Sequence, residues 1–177
     1  ASWRCAVWWA TARPIDNALL DADTLRRLGR MRDPADRARH ATAVRLGDLL
    51  VRAHAGSEAR VVRRRGVAPR IVGGDPPAHM SVAHAGTHVA VALGPSPLGV
   101  DVEPLDADAG AVESALSPAA ARSLAALDGA ARHAAALRIW VRTEAVLKAT
   151  RRGMALDPRT VRVPDGAAGG WAVAEVP

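Results

Sequence analysis

The chain has no phenylalanine and no tyrosine, so its five tryptophans are its only aromatics, and it carries a single cysteine. The lone Cys5 excludes an internal disulfide framework and any cysteine-rich zinc site within one chain, which suits a reducing compartment. Histidines 40, 54, 79, 84, 88 and 133 show no familiar zinc-ligand spacing. So few rings leave few platforms on which nucleic acid bases could stack. The apolar stretches fall far short of the roughly 18 residues a membrane span needs, and the tryptophan-containing start lacks the ordered charge, apolar run and cleavage site of a signal peptide. These absences predict a cytoplasmic protein with no membrane association.

What is present is a basic chain of 177 residues, 49% hydrophobic and 24% charged, with a net charge of +6. That composition buries a core and is too apolar for disorder. The charge is uneven: up to Pro97 there are 15 arginines against 8 acids, and from Leu98 onward 9 basic residues face 10 acids. A field of this kind attracts acidic proteins, nucleic acid or phosphorylated small molecules without choosing between them. Of the 24 basic residues, 23 are arginine and one is Lys148. A compact point charge kept at one site hints at a use for it, beside the plain alternative that one lysine must fall somewhere.

Along the chain, Ala6 to Ala10 predicts a first strand, and Asp23 to about His54 predicts two helices broken near Pro34. The stretch from Arg63 through Pro77, punctuated by Pro69, Gly73 and Gly74, reads as a surface loop. Met80–Ala83 and Thr87–Leu93 read as strands joined by a turn at His84, Ala85 and Gly86. After a boundary at Gly94 to Pro97, Leu98–Glu103 predicts a strand, Pro118–Leu127 and Arg132–Arg152 predict helices, and Val161–Val163 with Trp171–Val176 predict a closing hairpin. This order predicts an α+β fold with helices packed on antiparallel sheets, in halves 1–97 and 98–177.

Three segments carry candidate chemistry. In Gly99-Val100-Asp101-Val102-Glu103, strand alternation turns Val100 and Val102 inward and projects Asp101 and Glu103 together, roughly 7 Å apart at Cα. Paired carboxylates belong in solvent or around a hard cation, for which magnesium is the natural fit. In Trp140 to Lys148, helical spacing aligns Trp140, Glu144 and Lys148 on one stripe, with Glu144 and Lys148 as an i,i+4 pair. An exposed pair of this sort contributes only tenths of a kcal/mol, whereas on a half-buried face it is costly unless used. The third is His84 beside Gly86, able to point at a ligand phosphate or to be an ordinary satisfied polar residue.

Taken in order, Ala83-His84, Gly99-Val100-Asp101-Val102-Glu103 and Trp140 through Thr143-Glu144-Ala145 to Lys148 resemble the motifs of the phosphopantetheinyl transferase superfamily. Leu46-Gly47-Asp48-Leu49-Leu50-Val51-Arg52 looks like the first half of the larger surfactin-type members, so the resemblance spans nearly the whole chain.

The resemblance implies two similar α+β halves, a pseudo-dimer in one chain and hence a monomer, with the active site in the cleft between them. It implies Mg2+ held by Asp101, Glu103 and Glu144 against the pyrophosphate of coenzyme A, and transfer of the 4′-phosphopantetheine arm to a serine of an acyl or peptidyl carrier protein. Glu144 becomes the base, Lys148 neutralises phosphate charge, and His84, Arg37 and Arg45 become contacts for the 3′-phosphate. Arg37 and Arg45 lie eight residues apart, about two helical turns. The pattern is broken at Thr143, where lysine is usual, at Ala83, where serine is usual, and at Ala68, where a basic residue is usual. Two other readings remain: a relative that binds coenzyme A or carrier without transfer, and a basic nucleic-acid-binding module, which gives the three carboxylates no use.

Overall fold

The computed structural model describes residues 5–64, 67–74, 78–152 and 155–163. Strand β1 (Ala6–Thr11) is followed by helix α1 (Ala22–Leu28) and the long helix α2 (Pro34–Ala55). Strands β2 (Arg60–Arg64), β3 (Val67–Val72), β4 (His79–Ala85) and β5 (His88–Gly94) complete the first half. Helices α3 (Ala109–Ser114), α4 (Pro118–Ser123) and α5 (Gly129–Thr150) form the second. The fold is α+β, as expected. Among the described residues no helix is long and apolar enough to cross a membrane.

Local chemistry explains the helix starts. Asp33 accepts from the Ala35 amide with Pro34 in the first turn, so the proline that interrupts the periodicity opens α2 rather than kinking one helix. Asp21 and Ser117 cap α1 and α4 in the same way.

β1, β5 and β4 form an antiparallel sheet in that order, with Trp8 opposite Val91 and Val82 opposite Val91 on the other side. Alternation sends Met80, Val89, Val91 and Leu93 toward α2, where they meet Ala43, Val51 and Ala55 in one core. The register places His84, Val89 and Ala10 in one row on this face. The opposite face carries Ser81 and Ala83. A second core joins Val112, Leu116 and Leu124 to Ala136, Leu137 and Ile139 of α5.

Four expectations are revised. The stretch read as a surface loop contains β3, which pairs antiparallel with β2, and Pro69 lies inside β3 of this two-stranded sheet, where an edge can tolerate a missing donor. The run at Arg63 is anchored there: its guanidinium donates to Asp48 Oδ1 at 2.8 Å and to the Val44 carbonyl at 3.3 Å. His84 stands inside β4, and the turn falls at Gly86 and Thr87, with Gly86 at φ +53°.

The third revision concerns Leu98–Glu103, which forms no strand and joins no sheet. The Val100 amide donates to the Ser81 hydroxyl at 3.1 Å rather than to a strand carbonyl, so side-chain anchoring replaces a ladder. Val161–Val163 likewise form no strand, and Trp171–Val176 lie outside the described residues. Among the described residues from 98 onward there are helices and no strand, so both sheets come from residues before 98.

Candidate active site

Gly99 fixes where the acidic segment can lie. A Cβ there would fall 1.7 Å from the Ala145 carbonyl oxygen and 2.9 Å from the Ala149 amide, so only glycine lets segment 98–103 rest directly on the α5 backbone. Ser81, 6% exposed on β4, holds the same segment from the other side through Val100. Clamped between sheet and helix, the segment delivers Asp101 to the last two turns of α5.

There Lys148 Nζ donates to Asp101 Oδ1 at 2.6 Å, with the Asp101 side chain 8% exposed. Lys148 pairs with Asp101 and not with Glu144, the i,i+4 partner suggested by helical spacing, because the clamped segment brings a buried carboxylate within its reach. Burial pushes the Asp101 carboxyl above its ordinary value, and the Lys148 ammonium works against that shift. Glu144 is also pushed up, first by burial, then by repulsion from Asp101, with Glu103 adding to it and Lys148 opposing it. The three carboxylates and the one lysine therefore share one electrostatic locus.

Asp101 Oδ2 is buried and has no hydrogen-bond partner. A buried carboxylate oxygen without a donor is costly, and an oxygen-only donor set suits a hard cation. The chemistry of Asp101, Glu103 and Glu144 thus fits magnesium. Among the described residues, however, no three His, Cys, Asp or Glu side chains are gathered closely enough to hold a metal ion.

His84 stands on β4 in the row of Val89, on the face turned toward α2. Desolvation of its ring and the nearby Arg39 guanidinium hold it below the ordinary histidine value, with Lys148 adding to the effect and Asp36 opposing it. The neighbouring His40 on α2 is lowered by burial and by the charges of His84, Arg27 and Arg63, and its Nε2 is buried without a partner. Direct contact confirms the proximity of α2 to this end of β4: Arg39 Nη1 donates to the Gly86 carbonyl at 2.8 Å while also pairing with Asp36. The result is a patch rich in positive charge beside an acidic locus.

The other two arginines lie elsewhere. Arg37 donates to the Met31 carbonyl at 2.9 Å and ties the loop between α1 and α2. Arg45 lines a cavity between α2 and β1. It follows His40 by five residues, about 140° around the helix, so the two occupy different sides of α2. The structure brings Lys148, Asp101 and Glu144 together, and sets His84 with His40 and Arg39 where β4 meets α2, within reach of the Lys148 charge. Arg39 and Ser81 are contributors that the sequence reading passed over. Period-two alternation put Ser81 on one face with Ala83, and a serine on that face was the available signal.

The three departures also find places. Thr143 is 3% exposed and donates to the Ile139 carbonyl at 2.9 Å, so its side chain points into the interior. Ala83 is 4% exposed on the face shared with Ser81. Ala68 lies exposed on β3.

No curated protein sequence matches the chain. Residues 97–175 match the family model of the 4′-phosphopantetheinyl transferase superfamily, a stretch that takes in Asp101, Glu103, Glu144 and Lys148, and the match supports that superfamily for this part of the chain.

Proposed function

We propose that this protein transfers the 4′-phosphopantetheine arm of coenzyme A to a serine hydroxyl of an acyl or peptidyl carrier protein, releasing adenosine 3′,5′-bisphosphate. The observation that carries the reading is the meeting of Lys148 with a buried, half-satisfied Asp101 beside Glu144, inside the stretch that matches the superfamily.

Glu144, its pKa raised by burial and by Asp101, is poised to accept the serine proton. The serine oxygen then bonds to the phosphorus that bears the pantetheine arm. The bond from that phosphorus to the bridging oxygen breaks, and the electron pair leaves on the bisphosphate. Asp101, Glu103 and Glu144 would hold magnesium, whose chemistry here is neutralisation of pyrophosphate charge. The Lys148 ammonium supplies positive charge at the phosphate or leaving group. Arg39 would supply positive charge for a terminal phosphate, and the His84 ring beside it, held toward its neutral form, would donate a hydrogen bond. The surfactin-type subclass, with two like halves in a monomer, belongs to this proposal, as does a carrier protein drawn in by the arginine-rich first half.

The test is intact mass spectrometry of several apo carrier proteins incubated with the protein, coenzyme A and magnesium, beside a reaction without metal. A metal-dependent gain of one phosphopantetheine is expected. Binding of coenzyme A with no gain on any carrier would overturn transfer in favour of a silent relative.

A further inference from the structure

A second site lies away from the acidic locus. On α2, Thr42, Arg45, Leu46 and Leu49 follow i, i+3, i+4, i+7 spacing, and with Ala10 at the end of β1 and Ile15 in the next loop they line a half-open cavity of about 460 Å3 whose rim includes the exposed Arg13 and Leu49. This size lies within the usual range of small-molecule sites.

Two features of its lining are chemically specific. Its walls are aliphatic, and no aromatic or acidic side chain faces it, while two arginines, Arg13 and Arg45, do. Elsewhere arginines near the core are bonded to acids, Arg63 to Asp48 and Arg132 to Glu113. Among the described residues neither the Arg13 nor the Arg45 guanidinium has such a partner. Unpaired guanidiniums beside apolar walls are adapted to an anion that brings its own apolar body.

The backbone of Arg13 is also held in place. Thr42, 5% exposed, accepts from the Arg13 amide and donates to the Arg13 carbonyl, both at 3.0 Å. That double bond of one hydroxyl ties the loop to α2 one turn before Arg45, so a single buried residue sets the position of Arg13 relative to Arg45.

We infer that the Arg13 and Arg45 cavity binds an aliphatic carboxylate, with the head on the guanidiniums and the chain against Ile15, Leu46 and Leu49. A nucleotide fits less well, since its base finds no ring to stack on. The inference stands apart from phosphopantetheine transfer, whose residues lie on segment 98–103, α5 and β4.

Isothermal titration calorimetry of the full chain with octanoate, 1-octanol and adenosine 3′,5′-bisphosphate tests it, with melting curves to confirm folding. Octanoate should bind at least tenfold more tightly than 1-octanol, and Arg45→Gln and Arg13→Gln should each weaken octanoate about tenfold, or about 1.4 kcal/mol. Arg70→Gln, which removes an equal charge from exposed β3, should not. Three results would overturn the inference: octanoate no better than octanol, both cavity variants binding like Arg70→Gln, or the bisphosphate preferred at Arg13 and Arg45. Because transfer is read separately by carrier mass, loss of this inference leaves the enzymatic reading standing, and the reverse also holds.

Discussion

The ammonium of Lys148 lies 2.6 Å from Asp101 Oδ1, joining the end of α5 to a residue 47 positions earlier in the chain. The only lysine in the protein is thus committed to the most buried of the candidate metal-binding carboxylates. A guanidinium would serve poorly there, because a planar fork needs more room than an ammonium. Lys148→Arg is expected to lower kcat for phosphopantetheine transfer at least tenfold. Full activity in that variant would show that the solitary lysine has no special role.

Glu144→Gln and Asp101→Ala are expected to abolish transfer, with a loss of 100-fold or more at Glu144, on the order of what a positioned base contributes. Circular dichroism should show both variants folded, because neither side chain belongs to the apolar cores. Retained turnover in both would remove the assignment.

The activity should fall with acidity earlier than for an ordinary carboxylate. Glu144 must be ionised to act as a base, and its pKa is raised. The acid limb of kcat/KM should therefore lie above the usual carboxylate range, and Asp101→Asn, which removes the repelling charge, should move any residual limb downward. A limb at the ordinary value would argue against Glu144 as base.

Stability carries the opposite signs for the two kinds of group. Asp101 and Glu144 have raised pKa values when folded, so the native state holds protons that the unfolded chain has released, and stability falls as pH rises from the ordinary carboxylate value through the raised one. His40 and His84 have lowered values, so stability is lost as pH falls from the ordinary histidine value toward the lowered ones. Denaturant titrations across pH should show the second loss diminished in His40→Gln.

The docking of segment 98–103 is open to a direct test. Gly99→Ala places a methyl 1.7 Å from a backbone oxygen, and either the segment or α5 must move. We expect a destabilisation above about 3 kcal/mol, or a folded protein without transfer activity. Ser81→Ala removes the partner of the Val100 amide and should cost about 1–3 kcal/mol. Urea unfolding of both variants separates these magnitudes.

Periodicity and breaks were legible in the sequence because they are local. Trp8 and Trp9 in an apolar run marked β1, and Pro34 marked the break at which α2 starts. Spacing also put Trp140, Glu144 and Lys148 on one helical stripe, and the order of three short motifs pointed to the superfamily that residues 97–175 match. What the sequence could not decide depended on distant partners. Whether Gly99 to Glu103 formed a strand rested on a serine hydroxyl and on the bare backbone of α5, neither of which has a signature in the segment itself. Lys148 had two carboxylates within plausible reach, and only the docking of that segment selected Asp101 over Glu144. That Arg37 turns to the Met31 carbonyl and Arg45 to the cavity beside Ala10 and Ile15 was decided by the neighbouring loops and by β1 rather than by their spacing on the helix. Local propensity fixes an element, but the identity of its neighbours follows from how all the apolar faces are buried at once, and that is a property of the tertiary structure.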